Sequence, residues 1–151
     1  HAAVAGDRRE RPISGGGLLA GTAIAARGLC PHSEVFGAEP SGADDAARSF
    51  ASGILQANVR PDTISDGLRA DLGAPNFAIL QGLGARILTV TDAETLAAMR
   101  LVYERLKIVI EPSCATPLAA ILKYPDAFAG KRAGVILSGG NVAPDARKFD
   151  L

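Results

Sequence analysis

Ala85-Arg86-Ile87-Leu88-Thr89-Val90-Thr91-Asp92-Ala93-Glu94 reads as a strand running straight into a helix. The first six residues are a short run rich in apolar and β-branched side chains. Thr91 and Glu94, three apart, make a capping box. The helix they open carries an apolar face at Leu96, Met99, Val102 or Tyr103, and Leu106. Downstream, Ile108-Val109-Ile110 predicts a strand and residues 112–123 a helix with Pro112 in its first turn. Gly134-Val135-Ile136-Leu137 predicts a last strand, which turns out at residues 138–141. Upstream, residues 76–83 predict a short helix ended by Gly84, and residues 53–74 a loop-rich stretch. Residues 44–52 predict a helix with acids at its front, where the dipole favours them. Residues 34–38 predict a buried strand broken at Glu39-Pro40-Ser41-Gly42, and residues 18–27 a helix stopped by Gly28. Strands alternating with helices imply parallel strands with crossover helices, hence an α/β layered domain.

Residues 1–13 receive no definite structure. His1 to Ala5 could be a short apolar strand, while Gly6 to Pro12 is polar and turn-like. Arg8, Arg9 and Arg11 there read as a solvated end.

The chain has 151 residues, enough for one domain with a real core. Its 16 basic and 16 acidic side chains cancel, which argues against a nucleic-acid or membrane-surface partner. No apolar stretch approaches the ~20 residues of a spanning helix. No leader-like apolar run is visible, and Cys30 and Cys114 make no disulfide framework. A soluble cytoplasmic enzyme is expected.

In parallel sheets ligands sit at the carboxyl ends of strands. Ser14-Gly15-Gly16-Gly17 opens a helix there, so its amides could seat a phosphate; a flexible turn is the plainer alternative. Ser138-Gly139-Gly140 follows the last strand and offers a hydroxyl, or else a tight turn. Glu39, Asp44 and Asp45 lie within seven residues, which suits a hard cation or simply a helix start. Glu111 sits between a strand and Pro112, as a site acid or an exposed loop residue. Cys114 falls in a first helical turn, where a thiolate is favoured, although a packing role is commoner.

Taken in order, five stretches resemble one family. They are Ser14-Gly15-Gly16-Gly17-Leu18-Leu19-Ala20-Gly21, Ala38-Glu39-Pro40-Ser41-Gly42-Ala43-Asp44-Asp45 and Thr63-Ile64-Ser65-Asp66-Gly67. Glu104-Arg105-Leu106-Lys107-Ile108-Val109-Ile110-Glu111-Pro112-Ser113 and Leu137-Ser138-Gly139-Gly140-Asn141-Val142 follow. Together they resemble the serine racemase and serine/threonine dehydratase family of fold type II pyridoxal-phosphate enzymes, over residues 12–142.

The resemblance implies a three-layer α/β sandwich with a mostly parallel sheet, tryptophan synthase β-like and present in part. Residues 14–142 would be part of the large domain, with an uncertain segment 1–13 before it and a tail 143–151 after it. It implies pyridoxal 5'-phosphate as cofactor, bound by Ser14, Gly15, Gly16, Gly17, Leu18, Gly67, Glu111, Ser138 and Gly139. It implies Mg²⁺ or Ca²⁺ at Glu39, the Ala43 carbonyl and Asp45, and a nucleotide effector near Lys107 and Asn141. The implied activity is β-elimination of a hydroxy amino acid to a 2-oxo acid and ammonia, or racemisation, in a homodimer acting on an amino-acid substrate.

Three departures stand against this pattern. Ser14 replaces the usual first glycine. The Ser-x-Lys-x-Arg segment that carries the family's catalytic lysine is absent, and Lys107, Lys123, Lys131 and Lys148 sit elsewhere. The strand expected before the glycine loop is replaced by the charged run from Gly6 to Arg11. The expectation is a chain that is inactive alone. The alternative is a non-catalytic phosphate-ligand-binding or regulatory module on the same scaffold.

Overall fold

The structure is a computed structural model and describes residues 8–143. Its sheet begins in the charged run. Strand β1 (Arg8–Pro12) leads through the glycine loop into helix α1 (Gly17–Leu29), and strand β2 (Glu34–Pro40) into α2 (Asp45–Ser52). A single helical turn (Asp66–Leu68) and α3 (Ala74–Gly82) precede β3 (Arg86–Val90). Helices α4 (Asp92–Leu106), α5 (Pro112–Lys123) and α6 (Pro125–Phe128) come before β4 (Ala133–Val135). The four strands form one sheet in the order β3-β2-β1-β4, every pair parallel.

Side chains alternate across the strands and build a core on each face. On one face Ile13, Val35 and Ile87 pack with Leu19, Ala23, Phe77 and Leu80 of α1 and α3. On the other, Ala38, Leu88 and Val90 pack with Met99, Val102, Cys114, Ala115 and Ala119 of α4 and α5. Two helical layers around one parallel sheet make the expected three-layer architecture.

The capping box at the entry to α4 is present. Glu94 N–H donates to Thr91 Oγ1 at 3.2 Å, and Thr91 N–H donates to Glu94 Oε2 at 2.7 Å. Helix α5 has the expected bounds, while α1 and α3 differ by a few residues at their ends, and Gly28 lies inside α1.

Five expectations need correction. Residues 8–12 are a strand, not a turn, because β2 and β4 pair with them on both sides and override their poor local propensity. The solvated end is likewise overturned: Glu10 and Arg11 are buried, and Arg8 lies over the Phe36 ring and pairs with Glu34 at 2.6 Å. Residues 1–7 lie outside the described residues.

Residues 108–110 are not a strand. Lys107 takes a left-handed conformation (φ 59°) that ends α4, and the Ile110 carbonyl accepts from the Tyr103 hydroxyl at 2.8 Å instead of from a sheet neighbour. Strand β2 continues through Glu39 and Pro40, which pair with Thr89 and Val90 of β3, so Glu39 ends a strand and is not part of the bent loop. The buried face of α4 is Thr95, Ala98, Met99 and Val102, whereas Leu106, the last residue of the helix, is exposed.

Glu10 sits at the centre of β1, fully buried, and neither carboxyl oxygen has a hydrogen-bond partner among the described residues. Burial raises its pKa from 4.5 to about 8. The folded chain therefore holds this proton where the unfolded chain has released it, so stability falls as pH rises from about 4.5 toward 8. Glu10→Val removes the buried carboxyl and suits a central strand. It is expected to stabilise the chain by roughly 1–3 kcal/mol. The gain in melting midpoint should be larger near about pH 8 than near about pH 5.

Candidate functional site

The carboxyl end of β1 sets the site. Pro12 ends the strand and α1 starts at Gly17, leaving four residues to reverse from sheet to helix. Gly16 caps the helix at φ 86°, a left-handed conformation that glycine adopts without strain. The first intrahelical bond here runs from Ala20 N–H to the Gly16 carbonyl at 2.8 Å. The N–H groups of the first turn have no partner inside the helix, so they are available to an anion.

A cavity of about 250 Å³ opens against this turn. Ser14, Gly15, Gly16, Gly17, Leu18, Gly67, Glu111 and Ser138 all line it, so eight of the nine residues expected at the cofactor come together. The ninth, Gly139, stands behind Glu111. A Cβ on Gly139 would fall 2.6 Å from the Glu111 carboxyl, so only a bare backbone leaves room for that side chain. The Glu111 carboxyl accepts from Asn141 N–H at 2.9 Å, and Glu111 N–H donates to the Gly139 carbonyl at 3.2 Å.

Four lining residues escaped the sequence reading: Pro12, Leu19, Leu68 and Ser113. Ser113 is the informative one. Its buried hydroxyl accepts from Gly67 N–H at 3.1 Å and ties the 63–67 loop to the first turn of α5. Its position directly after Glu111 and Pro112 was the available signal. Cys114 beside it is fully buried. Burial raises its pKa by more than the Gly139 and Ser138 amides lower it, so it stays a thiol and packs.

The three residues expected at a cation occupy one corner of the fold. Glu39, Ala43 and Asp45 are all buried. Glu39 Oε1 accepts from Ala47 N–H at 2.6 Å. Burial, opposed by that bond and assisted by the charges of Asp45 and Asp44, leaves the Glu39 pKa at about 8. Burial also raises the Asp45 pKa. Both Asp45 oxygens already work within the fold, taking Asn58 Nδ2–H and Leu72 N–H at 2.7 Å each. Two buried carboxyls driven toward their neutral forms are a donor set that a hard cation would relieve, and each oxygen keeps a further lone pair. Among the described residues no three His, Cys, Asp or Glu side chains converge as a metal cluster.

Asn141 lines a second cavity of about 610 Å³, which also takes in Thr63, Arg69 and Asp92. Lys107 does not line it but sits exposed at the end of α4, so the structure does not gather these two at one cavity. None of Lys107, Lys123 and Lys131 lines the glycine-loop cavity, and Lys123 pairs with Glu94 at 3.0 Å. Lys148 lies outside the described residues. No helix among the described residues is long and apolar enough to cross a membrane.

A parallel α/β sheet with a glycine loop and helix N-terminus over a small cavity defines a class of phosphate-cofactor enzymes. The pyridoxal-phosphate dependent enzyme family matches residues 11–139. A β-hydroxyaspartate dehydratase of Paracoccus denitrificans is 48% identical over 134 residues, covering 89% of this chain and 42% of that protein. A serine racemase of Dictyostelium discoideum is 50% identical over 135 residues, covering 87% and 42%. The solved structure of maize serine racemase superposes with a TM-score of 0.88 at 40% identity, covering 95% of this chain and 46% of that one. The chain belongs to the pyridoxal-phosphate dependent enzyme family. It spans about two fifths of the length of the curated relatives it matches.

Gly16→Ala tests the loop geometry. A Cβ there would lie 2.5 Å from Leu72 Cδ1 and 2.9 Å from Asn76 Cβ, in a backbone conformation hostile to alanine. The expected outcome in chemical denaturation is a loss of about 2 kcal/mol or more. Gly17→Ala, which meets open space at an ordinary φ, should change stability little.

Proposed function

We propose that this chain is the phosphate-holding part of a pyridoxal-phosphate enzyme acting on β-hydroxy amino acids. The net reaction would convert a substrate of the serine, threonine or 3-hydroxyaspartate type to a 2-oxo acid and ammonia, with racemisation as a side branch, in a homodimer. One observation carries the reading: eight residues from four separate segments line one cavity beneath the α1 N-terminus. The names of the relatives, a β-hydroxyaspartate dehydratase and a serine racemase, support the substrate class.

The amides of residues 15–18 would hold the phosphate, helped by the helix dipole. Ser14 would add only its backbone, because its hydroxyl already donates to the Ala70 carbonyl at 3.2 Å. Ser138 would meet the pyridine nitrogen with a neutral hydroxyl, which holds that nitrogen less protonated than a carboxylate would. Gly67, fixed by Ser113, would lay bare backbone on the ring face. Glu39, Ala43 and Asp45 would hold Mg²⁺ or Ca²⁺. When bound, pyridoxal phosphate supplies the electron sink for the charge left at the substrate α-carbon.

The chain alone is proposed not to turn over. No described lysine lines the cavity, and the Ser-x-Lys-x-Arg segment is not among these residues. That same placement favours the second reading, a phosphate-ligand-binding module that keeps the scaffold without the chemistry.

Titration of the purified chain with pyridoxal phosphate tests both. Saturable binding, weakened several-fold by Ser138→Ala and without pyruvate release from serine, is the expected outcome. Binding of other phosphate esters as tight as that of pyridoxal phosphate, and indifferent to Ser138→Ala, would select the second reading. Absence of binding, or turnover by the chain alone, would overturn the proposal. The cation corner has its own test, since a ligand that binds only the folded state raises the melting midpoint. Added Mg²⁺ or Ca²⁺ should raise the midpoint of the wild type and not that of Asp45→Ala. An equal shift in both would place the cation elsewhere.

A further inference from the structure

The glycine loop is held by residues that do not line its cavity. The Gly15 carbonyl accepts two hydrogen bonds, from Gly73 N–H at 3.1 Å and from Asn76 Nδ2–H at 2.6 Å. A carbonyl oxygen is an acceptor only, so the Asn76 atom facing it must be the amide nitrogen. Asn76 lies in the first turn of α3, and Gly73 caps that helix. Leu72 and Asn76 also wall the outer side of Gly16, since they are the atoms a Cβ there would strike.

A trans peptide points its carbonyl and its N–H in opposite directions. Pinning the Gly15 carbonyl to the start of α3 therefore turns the Gly16 N–H away from α3, and Gly15, Gly16 and Gly17 line the cavity while Gly73 and Asn76 do not. The restraint matters because glycine flanks this peptide on both sides. Glycines allow the plane to flip at little steric cost, and the flip would replace an inward donor with an inward acceptor. For an anion that exchange turns attraction into repulsion.

We infer that Asn76 is a positioning residue for phosphate recognition. By holding the Gly15 carbonyl outward, it keeps the glycine loop in the state that presents amide donors to the cavity. The inference rests on the cavity being a phosphate site, as proposed above. It assigns a role to a residue outside the cavity, where Asn76 would touch neither cofactor nor substrate.

The test compares two ligands that differ by the phosphate. Dissociation constants for pyridoxal phosphate and for pyridoxal are measured on the wild-type chain, Asn76→Ala and Asn76→Asp, along with melting midpoints with and without inorganic phosphate. Asn76→Asp keeps the shape but sets a carboxylate against the Gly15 carbonyl, so it favours the flip. Weakening of pyridoxal phosphate by about tenfold in Asn76→Ala, and more in Asn76→Asp, is expected, the loss fitting one charge-assisted site reorganised. Pyridoxal binding should stay unchanged, the midpoint without phosphate should fall only slightly, as for one lost hydrogen bond, and the phosphate-dependent rise in midpoint should shrink in both variants.

Unchanged affinity for pyridoxal phosphate would overturn the assignment. So would a parallel loss for both ligands, or unfolding of both variants, because either would make Asn76 a scaffold residue. Failure of the wild type to bind pyridoxal phosphate or inorganic phosphate is a different result. It would overturn the reading of the cavity itself, and the role of Asn76 with it.

Discussion

The backbone ladder along β1 is the constraint on which the rest of the molecule depends. Five of its residues pair with β2 on one side and three with β4 on the other, all in parallel. Because parallel strands end on the same side, that pairing brings the chain segments after β1 and β4 to one edge. It also fixes where the glycine loop begins. The ladder uses only backbone N–H and carbonyl groups, so it forms over Arg8 to Pro12 despite their side chains. The side chains of Glu10 and Arg11 are then carried inside, and that of Arg8 partly so. Arg8 is accommodated by the Phe36 and Phe128 rings and by Glu34. Glu10 is buried without such a partner among the described residues, and its raised pKa records the cost.

From that edge the cavity is assembled by hydrogen bonds between segments far apart in the chain. Gly67 N–H to Ser113 Oγ joins the loop before α3 to α5. Asn141 N–H to the Glu111 carboxyl joins the turn after β4 to the start of α5. Ser14 Oγ to the Ala70 carbonyl, and the two bonds to the Gly15 carbonyl, join the glycine loop to residues 70–76. Each of these contacts has a backbone group on at least one side. The geometry therefore depends on a few polar side chains of the right length, and on glycines where any side chain would collide.

The corner holding Glu39 and Asp45 is linked to the same frame. Asp45 accepts from Leu72 N–H, and Leu72 lies against Gly16. One carboxylate thus supports the segment that backs the glycine loop, while lying beside a second buried carboxyl. Burial raises the pKa of both acids, and the nearby Asp45 charge raises that of Glu39 further.

The local patterns were legible in the sequence wherever neighbours along the chain decide the outcome. The Thr91–Glu94 capping box, the Pro112 helix start and the β3 run acted as read, and five ordered motifs pointed to the family that the chain joins. Eight of nine expected cofactor residues meet because motif order reflects a shared fold. The failures lie where distant partners decide. Residues 8–12 look like a turn by composition and become a strand because two others pair with them. Residues 108–110 look like a strand and are not one, because a left-handed Lys107 and the Tyr103 hydroxyl take them off the sheet. Asn76 lies in none of the five motifs and Ser113 only closes one, and their partners Gly15 and Gly67 lie 61 and 46 residues away. The sequence by itself determined the five longer helices, the glycine loop after β1, and the family. Only the tertiary structure decided which backbone groups those two side chains hold, because such hydrogen bonds depend on distance in space and leave no periodic trace along the chain.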